Sequence, residues 1–251
     1  MKIWMSLMLL LSTVTSAALS REVAIPVGDR FGLPQESPTD LYVNPEQRPG
    51  PLMIILQGAR VDKKHYAMLA SALVSWDGVV AVPNHKSYLG QHFTEQRVVN
   101  HVWDYLRSHD SYRQYLTGEL VVLGHSFAGV AVFNLAQGRC GFPTCVGSLQ
   151  PPKEMRAVIS YGYFRKKAME SRVPILMIQG SLDNLQDAKD TFQLIEAPNK
   201  SFVEISGANH YGLTNTNNPE GAKKDDAAPE ISQKESIEQV ALAIRGFIES
   251  L

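Results

Sequence analysis

Six short runs of Val, Ile, Leu and Met, spaced along the chain with longer amphipathic segments between them, most constrain what this polypeptide can fold into. They read "PLMIIL" (51–56), "GVVAVP" (78–83), "ELVVLG" (119–124), "RAVISY" (156–161), "PILMIQG" (174–180) and "FVEIS" (202–206). Near-continuous apolarity over so few residues predicts strands covered on both faces, as in a mostly parallel sheet. "HYAMLASALVSW", "TEQRVVNHVWDYLRSH" and "FAGVAVFNLAQG" carry helical spacing in the gaps. At the C-terminus Ile237, Val240, Ala241, Ile244, Phe247, Ile248 and Leu251 form one helical stripe, with Ser236 and Gln239 as its capping box. "REVAIP" and "DLYV" read as shorter strands of an antiparallel edge. The expectation is an α/β fold, a mostly parallel central sheet with helices on both faces. A chain of 251 residues leaves room for a single such domain over 19–251.

The N-terminal "MKIWMSLMLLLSTVTSAALS" has one Lys, an apolar stretch to Leu11 and small residues offering cleavage after Ala17 or Ala18. That is the pattern of a signal peptide over 1–18, predicting a secreted or periplasmic protein. A retained anchor needs about 20 apolar residues, and Ser12, Thr13, Thr15 and Ser16 cut the stretch short. No stable membrane anchor is expected. The two cysteines, Cys140 and Cys145 in "CGFPTC", are expected to form a local disulfide in an oxidising compartment. No His flanks them, so a metal site is not expected there. Lys and Arg number 24 against 25 Asp and Glu, a balance that offers nucleic acid no basic face. The polar stretch 215–236 is expected to be a mobile surface loop.

"VVLGHSFAGVAV" (121–132) ends a buried strand at Gly124, turns at Ser126 and begins a helical pattern at Phe127. A G-x-S-x-[GA] match is weak alone, since chance supplies it in roughly one chain in five or six of this length. The strand, turn and helix around it give it meaning. In that setting the Ser sits on a sharp turn that lifts its hydroxyl above the sheet edge. A Ser hydroxyl is a poor nucleophile until a base takes its proton and a third group orients the base. "SLDN" follows "PILMIQG" and places Asp183 just past one strand end, and "GANHYGL" follows "FVEIS" and places His210 past another. Both fall at the edge where ligands bind in open α/β sheets. The chain order Ser126, Asp183, His210 is the Ser, acid, His order of a hydrolase triad on such a sheet. His101 and His109 lie on or just past a helix, His85 follows a strand end and remains a candidate site neighbour, and Asp187 and Asp190 continue a helical segment away from the edge.

Acyl transfer through Ser126 also needs donors for the oxyanion. The backbone N–H of Phe127, next after the nucleophile, is one candidate, and Ala59 in "QGAR", with Gly58 shaping the turn, is the other. Gly58, His125, Tyr161 and Tyr211 are expected to line the substrate cleft, His125 also supporting the turn; Tyr163 and Phe127 are further aromatic candidates.

On these residues, from "DLYVNPEQRPGPLMIILQG" through "GHSFAG" and "GSLDN" to "GANHYGL" and the final helix, the chain resembles the α/β-hydrolase superfamily. Within it the chain is most similar to dienelactone-hydrolase-like, chlorophyllase-like and polyester-hydrolase-like serine esterases. The resemblance implies cleavage of a small-molecule or polymeric carboxylic ester through an acyl-enzyme, without a cofactor or metal. Three positions depart from the pattern: Ala128 replaces the second Gly of the usual motif, Gln57 stands where many members have His, and Ser126 stands where dienelactone hydrolases use Cys. "FRKKAMESRV" (164–173) is too short for the helical cap many members insert there, so no large cap domain is expected. Other acyl-transfer enzymes (thioesterase, peptidase, acyltransferase) use the same triad, and a non-catalytic binding protein can share the scaffold.

Overall fold

A computed structural model describes residues 19–28, 34–84, 95–138, 153–163, 168–184, 188–220 and 226–251. In chain order its elements are β1 (Leu19–Gly28), β2 (Pro34–Val43), β3 (Gly50–Leu56), α1 (Ala67–Val74), β4 (Val79–Pro83), α2 (Glu95–Ser108), α3 (Asp110–Arg113), β5 (Leu116–His125), α4 (Gly129–Gln137), β6 (Met155–Tyr161), β7 (Met169–Glu170), β8 (Ile175–Gly180), α5 (Lys189–Gln193), β9 (Ile195–Glu196), β10 (Lys200–Ile205) and α6 (Gln233–Glu249). Single 3-10 turns at Lys63–Tyr66 and Ser126–Ala128 lead into α1 and α4.

All six apolar runs enter one eight-stranded sheet of order β1-β2-β4-β3-β5-β6-β8-β10. The pairs β1–β2 and β2–β4 are antiparallel, and every other neighbouring pair is parallel. Alternation along each strand splits the core in two. Leu52, Ile54, Leu56, Leu120, Val122, Val158, Ile175 and Met177 meet α2 and α4 on one face. Met53, Ile55, Val121, Leu123, Ala157, Ile159, Leu176 and Ile178 meet α1 and α6 on the other. Each such fully buried aliphatic side chain contributes about 1.5–3 kcal/mol, and with both faces covered no position in these strands needs a polar residue, so the runs are continuous.

The antiparallel edge extends further than its apolar positions imply. Both β1 and β2 are ten residues long, because backbone pairing continues through the polar Glu36 and Ser37. The C-terminal helix also begins a turn earlier than its apolar stripe. Ser232 is the N-cap and its hydroxyl accepts from the Glu235 N–H at 3.2 Å. "SQKE" is thus the capping sequence, and Ser236 is buried inside the helix. Ile237, Val240, Ala241, Ile244 and Phe247 are buried, whereas Leu251, beyond the helix end, is exposed. The leader 1–18, His85, Cys140, Cys145 and Asp187 lie outside the described residues.

The parallel strands end level with one another. Leu56 pairs with Gly124, His125 with Tyr161, Tyr161 with Ile178, and Gly180 with Ile205. The segments after β3, β5, β6, β8 and β10 therefore leave the sheet along a single edge.

Candidate active site

Ser126 leaves β5 with φ of 52°. A non-glycine residue in this left-handed region costs of order 1–3 kcal/mol and persists only where its surroundings enforce it. Here β5 must reverse within one residue into the turn that opens α4. The strand and helix close so tightly that a Cβ on Gly124 would stand 2.5 Å from Val132 Cγ2 and 2.8 Å from the Ala128 carbonyl. A larger residue would force them apart. Ser126 and Phe127 remain half-buried at the turn.

Asp183 and His210 come from neighbouring strand ends. The segment after β8 is fastened to the one after β10 by Ser181 N–H to Ile205 O at 3.0 Å and Leu182 N–H to Ala208 O at 2.9 Å. Within this frame His210 Nδ1 lies 2.8 Å from Asp183 Oδ2, both side chains almost wholly removed from solvent. A carboxylate at Nδ1 selects the imidazole tautomer with its proton on that nitrogen and leaves Nε2 with the lone pair a general base needs. Gly162, just past β6, backs onto the pair. It has φ of 62°, and a Cβ there would stand 2.8 Å from His210 Nδ1 and 3.0 Å from Asp183 Oδ2.

His125, the residue before Ser126, is fully buried and joins the two halves of the site. Its Nε2 lies 3.0 Å from the His210 carbonyl and its Nδ1 lies 2.8 Å from the Tyr66 hydroxyl. Its ring sits 5.1 Å from that of His210 and 5.9 Å from those of Tyr66, Tyr161 and Tyr211. Desolvation, reinforced by the neighbouring His210, holds its pKa well below the ordinary imidazole value, so the ring is neutral.

The expected cleft residues are thereby redistributed. His125, Tyr161, Tyr211 and Gly58 are buried, the rings of His125 and Tyr211 lying 5.1 and 5.2 Å from that of His210. Tyr161 directs its hydroxyl into the Asn209 carbonyl at 2.9 Å, and the Gly58 N–H donates to Tyr66 at 2.7 Å. Ala59 is exposed, and Tyr163 is half-buried beside Phe133. Asp190, His101 and His109 are exposed elsewhere on the surface.

Several residues that hold the site were not among the candidates. Asn209 shapes the turn carrying His210, accepting from the Tyr211 N–H at 3.1 Å and donating to Ala227 O at 2.8 Å. Asp226 accepts from the His210 N–H at 2.5 Å and from the Asn184 N–H at 3.2 Å, so one carboxylate spans the acid and base segments. Burial pushes its pKa up against the pull of those two N–H groups, and the nearby Asp183 charge adds to the rise. Gln233 donates to the carbonyls of Tyr211 and Thr214 at 2.6 and 2.8 Å. The described ends of the 215–236 stretch are therefore tied down: Asn215 bonds Lys64 O and the Met68 N–H, and 226–233 straps the His210 turn. An Asx turn at "NHY" is readable locally, but nothing near Asp226 in sequence announces its partners.

Among the described residues no group of three or more His, Cys, Asp or Glu is arranged to hold a metal ion, and no helix is long and apolar enough to cross a membrane. The described residues bring a hydroxyl on a strained turn and a carboxylate-oriented imidazole to the same edge of the sheet.

No protein-family model and no curated protein sequence matches the chain. Among solved structures it is similar to a dienelactone hydrolase from Anabaena variabilis ATCC 29413, at 14% identity, covering 92% of this chain and 98% of that one with a TM-score of 0.59. The chain has the α/β-hydrolase fold over nearly its whole described length.

Proposed function

We propose that the protein is an exported serine hydrolase that cleaves carboxylic esters through an acyl-enzyme. The observation that carries the proposal is the buried His210–Asp183 pair, 2.8 Å apart, on the same sheet edge as Ser126 in its strained turn. Ser126 Oγ attacks the ester carbonyl as His210 Nε2 takes its proton. The Phe127 and Ala59 N–H groups hold the oxyanion, each such donor being worth about 2.7–4 kcal/mol. Collapse expels the alcohol, which leaves with the proton from His210. Water then repeats the sequence on the acyl group and frees the acid.

The short connection from β6 to β8 supports an open site able to meet a small-molecule or polymeric ester. The leader-like N-terminus and the "CGFPTC" pair support export with a Cys140–Cys145 disulfide. A fluorophosphonate probe tests the reading: it should label Ser126 in the folded wild type, and Ser126→Ala should neither label nor hydrolyse a chromogenic short-chain ester. A folded protein whose Ser126 never labels refutes the triad and leaves a binding protein on this scaffold. Transfer of the acyl group to an added alcohol or amine in preference to water would make it an acyltransferase.

A further inference from the structure

The Tyr66 hydroxyl lies at the centre of a chain of hydrogen bonds that the triad does not use. The His210 carbonyl can only accept, so His125 Nε2, 3.0 Å away, carries the imidazole proton and donates it. The neutral ring then offers Nδ1 as an acceptor, and Tyr66 donates its O–H to it at 2.8 Å. The same phenolic oxygen accepts the Gly58 N–H at 2.7 Å. A single direction of donation runs from the segment after β3, through the 3-10 turn before α1, to the residue preceding Ser126 and on to the His210 backbone. Both Tyr66 and His125 have no exposed surface.

Gly58 is fixed at its other end as well, because its carbonyl accepts from the Val61 N–H at 3.1 Å. Arg60 at the third position of that 58–61 turn has φ of 63°, the backbone a type II turn requires there. In a trans peptide the Ala59 N–H points opposite to the Gly58 carbonyl. With that carbonyl turned inward to Val61, the Ala59 N–H is aimed away from the turn.

We propose that Tyr66 is the positioning residue of the hydrolytic site, its hydroxyl tying Gly58, which leads into the Ala59 N–H, to the Ser126 turn and the His210 segment so that donor, nucleophile and base keep one geometry. The proposal rests on the hydrolase reading above, and in particular on Ala59 as an oxyanion donor. Tyr66 itself touches no reacting atom.

Tyr66→Phe removes one oxygen and leaves the buried ring in place. In the full-length protein it should lower kcat on a short-chain chromogenic ester by roughly tenfold or more, with KM changed by less than about threefold, because misplacement of catalytic groups acts on the transition state. His125→Gln keeps an N–H for the His210 carbonyl and loses the link to Tyr66. It should match Tyr66→Phe, and the double variant should be no worse than either single one, since all three break the same link. A merely structural Tyr66 would lower the unfolding midpoint and leave kcat of the folded fraction unchanged, which would overturn the proposal. The lock is also read without catalysis: amide hydrogen exchange at Gly58 should be roughly tenfold or more faster in Tyr66→Phe. If the wild type neither labels nor hydrolyses, faster exchange keeps the lock and only the hydrolase reading falls. Equal exchange in the two proteins overturns the lock itself.

Discussion

His210 Nδ1 and Asp183 Oδ2 stand 2.8 Å apart with their side chains nearly sealed from solvent, although 27 positions separate them in the chain. Asp183→Asn keeps the shape but can turn an NH2 toward Nδ1, which favours the imidazole tautomer with its proton on Nε2. A base with that tautomer cannot take the Ser126 proton. The expected loss in kcat is roughly 10^3–10^4-fold, with fluorophosphonate labelling slowed in parallel and the circular dichroism unchanged. A variant within tenfold of wild type would remove Asp183 from the mechanism.

What could be read from the chain divides by how local its cause is. Burial on both faces of β3, β5, β6 and β8 leaves a continuous apolar run, and a residue just past such a run lies at the sheet edge whatever the rest of the fold does. Ser126 and Asp183 could therefore be placed from sequence, whereas His210 follows β10, an edge strand that is mostly half-buried or exposed rather than covered on both faces. The same reasoning fails for His125: a His at a strand end suits a cleft wall or a floor, and its burial here depends on Tyr66, Tyr161 and Tyr211 from three other segments. Asp226 was harder still. It lies in a polar stretch with no periodicity, and both of its bonds go to backbone N–H groups of segments remote from it. The helix start differs from its apolar stripe for another reason: the stripe marks where the helix meets the core, and Ser232 caps it a turn before that contact begins.

Gly162 offers a test that leaves every catalytic side chain intact. Its φ of 62° and the 2.8 Å gap that a Cβ would have to His210 Nδ1 mean that Gly162→Ala must shift the backbone or the His210–Asp183 pair. A displacement near 1 Å costs roughly 10²-fold in rate. We expect that order of loss in kcat, with KM held and a modest drop in unfolding midpoint. Wild-type turnover in Gly162→Ala would show that the pair tolerates movement.

His125 should make stability depend on pH in a defined direction. Desolvation, with His210 second, keeps it neutral in the folded state at pH values where the unfolded chain, with an ordinary value of 6.5, takes up a proton. Its contribution is complete above the unfolded value and is lost as pH falls below it, at a slope approaching about 1.4 kcal/mol per pH unit. Urea unfolding from pH 7 downward should show this slope in the wild type. His65, also lowered chiefly by desolvation, adds in the same sense, so the comparison is with His125→Gln, in which the slope should be shallower. Identical slopes would mean that His125 protonates in the folded protein.

Asp226 extends the requirements of the site into the strap that follows it. Removing its carboxylate in Asp226→Ala strips an acceptor from the His210 N–H and from the Asn184 N–H at once. Each loss exposes a partly buried donor, with a penalty of about 1–3 kcal/mol per group when fully buried; Asp226 is only half-buried, so water will recover part of this. The stability change should therefore be small, about 1–2 kcal/mol, while the effect on turnover should exceed it, because the two backbone groups belong to the segments that present Asp183 and His210. Asp226→Asn keeps one oxygen and turns an NH2 against the other N–H, and should fall between Ala and wild type. Asp226→Glu keeps both oxygens on a longer arm and should recover more turnover than Asn. Chemical denaturation and steady-state kinetics on the same three preparations separate the two effects. Turnover that simply tracks the folded fraction would reduce Asp226 to a surface tie, whereas a kcat deficit at full folding would identify the strap as part of what keeps acid and base in register.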